Sequence, residues 1–164
     1  MLLFLSCNQT FRSIEEKFDT LSNLDYSDFE NIRIVNRKGV YFVNYQNNAL
    51  KIQYSFFKKR IISIEKAYTS KDTEINLSVN DKKIIENALH AFIEMDILIL
   101  FVDDRANVFI SISWSDYCTY NFLKLSNANS LKDIEKQYYQ QYKDMWYLHK
   151  ECSTPGVSRK ERKR

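Results

Sequence analysis

In residues 108–114, Val-Phe-Ile-Ser-Ile-Ser-Trp, every second side chain is large and apolar, and the same period of two recurs in residues 50–56. Such alternation sends Val108, Ile110, Ile112 and Trp114 to one face of a strand and Phe109, Ser111 and Ser113 to the other. Leu50, Ile52, Tyr54 and Phe56 oppose Lys51, Gln53 and Ser55 in the same way. The pattern is that of an antiparallel sheet with one packed face and one wetter face. Turn signals at Arg37-Lys38-Gly39 and Gln46-Asn47-Asn48 flank residues 40–45, so residues 32–66 read as consecutive hairpins, with a fourth strand at 60–66. Farther on, the apolar run 97–102 suits a central strand. Asp103-Asp104-Arg105-Ala106-Asn107 turns it into 108–114, and another strand follows near 117–125.

Three serines are each followed, three residues later, by an acid and then by an apolar period near 3.6, the arrangement of a capping box. Ser13 with Glu16 opens a helix that buries Ile14, Phe18 and Leu21. Ser78 with Asp81 opens one that buries Ile85, Ala88, Leu89, Phe92 and Met95. Ser130 with Asp133 opens a last helix reaching about His149, with Leu131, Ile134, Tyr138, Tyr142 and Met145 as its stripe. The expected class is therefore α+β: an antiparallel sheet of about seven strands and three helices, ordered helix, four strands, helix, three strands, helix.

A chain of 164 residues with 45% hydrophobic content can bury a core as one domain, placed here at residues 13–152. Pro155-Gly156 marks a shift in composition, and residues 153–164 read as a disordered basic tail. Five cations against Glu161 give the last six residues +4, so the remainder of a chain with net charge +3 carries −1. A nearly neutral body lacks the electrostatic footprint of a nucleic-acid binder.

Catalytic motifs are absent from the sequence. With only His90 and His149 as histidines, a Cys/His metal site is disfavoured, and Cys118 and Cys152 lack metal or redox spacing and read as packing residues, with an exported chain leaving a disulfide between them open. Gly39 is the only glycine within the domain, which argues against phosphate-cradling loops. Asp103-Asp104 reads as turn chemistry, and scattered acids such as Glu65, Glu94 and Asp103 form no visible constellation. The sequence thus calls for no enzyme activity, no cofactor, no metal and no identifiable small-molecule substrate. The proposed last helix instead carries more aromatic surface than one core-facing stripe can bury. Tyr139, Lys143 and Trp146, spaced along it, form a candidate patch for a protein partner.

Near the amino terminus, Leu3-Phe4-Leu5-Ser6-Cys7-Asn8 resembles the end of a bacterial lipoprotein signal, in which apolar residues and a small residue precede a cysteine. The resemblance covers these residues alone and implies acylation of Cys7, with residues 1–12 as signal remnant or tether. It implies a lipid-anchored protein of the cell envelope, its membrane contact limited to the anchor. Residues 1–5 are shorter than the 7–15 apolar residues of a signal core, so this reading puts the true start upstream of Met1. The alternative is a cytoplasmic inhibitor or immunity-like protein that binds a protein partner.

Overall fold

The structure is a computed structural model that describes residues 13–46, 48–67, 77–114, 117–127 and 136–153. Helix α1 (Ile14–Ser22) begins where Ser13 caps it, the Ser13 Oγ accepting from the Glu16 N–H at 3.2 Å. It buries Phe18 and Leu21, as the spacing requires. Helix α2 (Val79–Met95) opens on the full reciprocal box: the Asp81 N–H donates to Ser78 Oγ at 3.1 Å and the Ser78 N–H to Asp81 Oδ2 at 2.9 Å. Ile85, Ala88, Leu89 and Phe92 form its buried stripe. The helix ends without glycine, because Asp96 adopts the left-handed conformation at φ 49°.

Nine strands make one sheet: β1 (Ile32–Arg37), β2 (Val40–Tyr45), β3 (Asn48–Ser55), β4 (Arg60–Lys66), β5 (Ile99–Val102), β6 (Val108–Ser113), β7 (Cys118–Lys124), β8 (Gln140–Lys143) and β9 (Trp146–Cys152). Their order across the sheet is β4-β3-β2-β1-β5-β6-β7-β9-β8, and every paired neighbour is antiparallel. Hairpins supply most neighbours. The crossover through α2 brings β5 beside β1, and β9 slips between β7 and β8.

Directly paired residues share a face. One row therefore crosses the sheet through Leu50, Val43, Ile34, Leu100, Ile110, Phe122 and Leu148. Both helices lie on that side. Phe92 of α2 meets Tyr41 edge-on at 6.1 Å, and Phe18 of α1 stacks on Phe122 at 4.6 Å. Ile52, Ile110 and Ile112 are buried at 1% exposure or less, so the alternating segments do exclude water.

The two ends of the sheet are also distinct. At one, the β3–β4 turn, the Lys38-Gly39 turn, the α2–β5 junction at Asp96 and the start of β7 lie together. Residue Lys17 fixes the start of α1 there, since its buried ammonium donates to the Asp96 carbonyl and pairs with the Asp96 carboxylate at 3.2 Å. The chain leaves α1 toward the opposite end, where Glu30 bridges Val102.

Several expectations change. There are nine strands, not about seven, and two α-helices among the described residues, not three. The last helix does not run to His149. Residues Gln140–Lys143 and Trp146–Cys152 are the β8–β9 hairpin, turned by Asp144 at φ 50°, while Ser130, Leu131, Asp133 and Ile134 lie outside the described residues. Tyr and Trp favour strands as readily as helices, and no glycine announced the turn. Phe56 is not on the inward face with Tyr54; it sits in the β3–β4 turn, 56% exposed. Cys7 and residues 154–164 also fall outside the described residues.

Candidate interaction site

The strand register redistributes the three residues grouped by helical spacing. Trp146 faces inward at 4% exposure, edge-on to Phe18 at 5.4 Å, with the Lys124 ammonium 5.7 Å from its ring. Lys143 reaches Asp19 of α1 at 2.9 Å, and that carboxylate holds the Lys143 ammonium above its usual pKa. Tyr139 packs against the His149 ring at 5.6 Å. The trio therefore does not form one exposed patch: Trp146 is core, and Lys143 ties the last hairpin to α1.

Inverting the parity of the buried row exposes a different surface. On the side away from both helices, Phe101, Phe109, Leu123 and Tyr147 pair in register across β5, β6, β7 and β9. Phe101 is exposed and the other three are half-buried. Arg33 flanks the row on β1 and Gln141 on β8. A neighbouring row is polar, with Ser111 donating to Asn121 Oδ1 at 2.8 Å and His149 opposite Asn121. No helix among the described residues covers this face. Its signal was present in the sequence, since Phe109 falls on the outward parity of its strand. The continuous run around Phe101, however, reads as buried on both sides.

A second surface is the β3–β4 turn, Phe56-Phe57-Lys58-Lys59 followed by Arg60. The Ser55 hydroxyl accepts from the Lys58 N–H at 3.2 Å, and Phe56 leans on Tyr54 at 6.0 Å. Phe57 is wholly exposed, at 102%. Between β4 and α2 lies an open groove of about 630 Å³, lined among others by Ile62, Ser63, Lys82 and Glu86. The Ile61 N–H donates to Glu86 across it at 3.1 Å. Beside it the hydroxyls of Tyr54 and Ser63 are buried without a hydrogen-bond partner. Burial, and then the charges of Glu86 and Glu94, push the Tyr54 phenol's pKa up.

The titratable groups that the sequence left unassigned serve local partners. Burial raises the Asp103 pKa, but the Asn107 side-chain amide, donating at 2.8 Å, and then the Asn107 and Arg105 N–H groups, at 2.8 and 2.9 Å, hold its carboxyl below the usual range. Glu65 pairs with Lys51 at 3.0 Å, and Glu94 with His90 at 3.4 Å. Among the described residues no group of three or more His, Cys, Asp or Glu side chains is placed to hold a metal, and no helix is long and apolar enough to cross a membrane.

Cys118 and Cys152 stand directly opposite each other on β7 and β9, Cα atoms 4.0 Å apart, and form a disulfide. The packing role expected of them is thus replaced by a cross-strand bond. Comparison with family models, with curated proteins and with solved structures finds no match to this chain.

Proposed function

We propose that the chain is a small cell-envelope protein, tethered to the membrane through an acylated Cys7, that acts by contact with a protein partner and not by turnover of a substrate. The observation that carries this reading is the Cys118–Cys152 disulfide. Disulfides persist in oxidising compartments and are rare in the cytosol. The bond uses two of the three cysteines, and the remaining thiol is Cys7, the one that follows Leu-Phe-Leu-Ser. For the contact itself the face away from α1 and α2 supplies the surface: aromatic side chains dominate interface hot spots, and Phe101, Phe109 and Tyr147 share one row there. Such a role needs no cofactor and no nucleic acid.

The test is made on the natural protein in its own cells. Growth with an alkyne fatty acid labels the protein, and Cys7→Ala abolishes the label. In the same cells, alkylation without reduction leaves Cys118 and Cys152 unmodified. An unlabelled chain whose Cys118 and Cys152 both alkylate freely would overturn the envelope reading and leave the cytoplasmic inhibitor, docking through the same sheet face.

A further inference from the structure

From the β3–β4 turn we infer a membrane-docking element: Phe57, assisted by Phe56, inserts among the acyl chains of an anionic phospholipid surface while Lys58, Lys59 and Arg60 meet its phosphates. The inference rests on the envelope reading and deepens it by fixing which end of the domain faces the bilayer.

Two apolar rings and three successive cations share this turn, and the cations make no ion pair among the described residues. At the same end Asp96 is paired by Lys17 and Glu94 lies 3.4 Å from His90, while Glu15 and Glu16 of the first turn of α1 stand several strands away from the cations. Arg37 at the end of β1 and Lys38 in the β1–β2 turn lie adjacent, because Arg37 pairs with Val40 and Val40 with Gln53. A protein partner is the weaker occupant, since lysine is depleted from protein interfaces. A lipid surface matches better: aromatic and aliphatic side chains enter the headgroup boundary there while lysine and arginine extend to the phosphates.

The position of the turn agrees with this occupant. Ser13, where the amino-terminal tether meets α1, lies at the same end of the sheet, as shown by the Lys17–Asp96 contact one helical turn later. Ser153 is there too, its N–H donating to the Tyr117 carbonyl at 3.0 Å, and the basic residues 159–164 follow it in sequence. With strands spaced roughly 4.8 Å apart, the turn and α1 stand about 25 Å from each other along this end. A tether at one point and an inserted turn at the other fix an orientation that neither fixes alone. The face away from α1 and α2 then stands roughly perpendicular to the membrane.

The experiment uses the full chain carrying Cys7→Ser, so that acylation plays no part, with vesicles of phosphatidylglycerol and phosphatidylcholine or of phosphatidylcholine alone. Co-sedimentation is expected with the anionic vesicles and is lost as salt rises. The pair Lys58→Gln and Lys59→Gln lowers partitioning about 25-fold, at about fivefold for each cation removed. Phe57→Ser lowers it by about tenfold. A polarity-sensitive dye on Phe57→Cys shifts to the blue on binding. Unchanged partitioning in both turn variants, or loss only when the cations of residues 159–164 are neutralised, would overturn the inference. Vesicle binding through the turn by a chain that carries no fatty acid in cells would keep the docking element and remove the anchor.

Discussion

At the β8–β9 edge Tyr142 and Trp146 close edge-on against Phe18 and Lys143 reaches Asp19, whereas at the β3–β4 edge Phe57 projects into water and Phe56 is exposed beside three cations that have no ion-pair partner among the described residues. Trp146 is buried and Tyr142, 38% exposed, still contacts Phe18. Local topology accounts for part of the difference. Strands β8 and β9 have α1 above them, which supplies Phe18 and Asp19, while Phe57 in the β3–β4 turn is wholly exposed. The remainder lies in sequence: a polar tip would have closed the same hairpin, yet Phe56 and Phe57 stand there exposed.

The largest break of this symmetry is expected from Trp146→Ala, which removes a ring at 4% exposure from the Phe18 cluster. It should cost about 3–5 kcal/mol in urea unfolding, with Trp146→Phe recovering much of that. A loss under about 1 kcal/mol would mean that the last hairpin is not part of the core. Next in size is the disulfide, which closes a segment with a sequence separation of 34. By chain entropy it contributes about 3–4 kcal/mol. Reduction should lower the denaturant midpoint correspondingly, and equally in chains carrying β3–β4 turn substitutions, because the two edges share no contact that would couple them.

Much of this architecture was legible in the chain. Ser13 and Ser78 both cap helices, since a side chain that satisfies orphan N–H groups acts locally and leaves a local signature. Alternation at 108–114 likewise fixed which residues meet the core. The last element was misread because Tyr138, Tyr142 and Met145 satisfy helical spacing while Trp146, Leu148 and their outward neighbours satisfy period two. The choice between them rests on the long-range pairing of β9 with β7, which no local window contains. For the candidate surfaces the same distinction holds. The row through Phe101, Phe109, Leu123 and Tyr147 exists only once four strands are in register, whereas Phe56-Phe57-Lys58-Lys59-Arg60 is contiguous and needed only the knowledge that the strand stops at Ser55.

A smaller effect sharpens the comparison on the α2 side. Ser78→Ala removes the acceptor of the capping box and should cost about 1 kcal/mol. Hydrogen bonds from Ser78, first from its side chain and then from its backbone, hold the Asp81 carboxyl below its ordinary 3.8. A carboxylate depressed by folding contributes stability that is present above its unfolded pKa and is lost as pH falls through the lower folded value. The wild-type chain should therefore lose part of its stability below about pH 4, and Ser78→Ala should flatten that part of the pH profile. An identical acid limb in both chains would place the acid sensitivity elsewhere, with Asp103 the next carboxylate to substitute.

The smallest effect on stability is the most telling for the outward edge. Phe57→Ser removes a ring with no burial to lose, so its unfolding midpoint should stay within about 0.5 kcal/mol of wild type. Phe56→Ser should cost somewhat more, because Phe56 still leans on Tyr54 at 6.0 Å. If Phe57→Ser instead destabilised the chain as Trp146→Ala does, the phenylalanine would have a partner within the fold, and the contrast between the edges would collapse. If stability holds while vesicle partitioning falls, the two measurements separate what the ring does for the fold from what it does for the surface. That separation is available only at this edge, since every aromatic at the opposite one that contacts Phe18 is tied to the core.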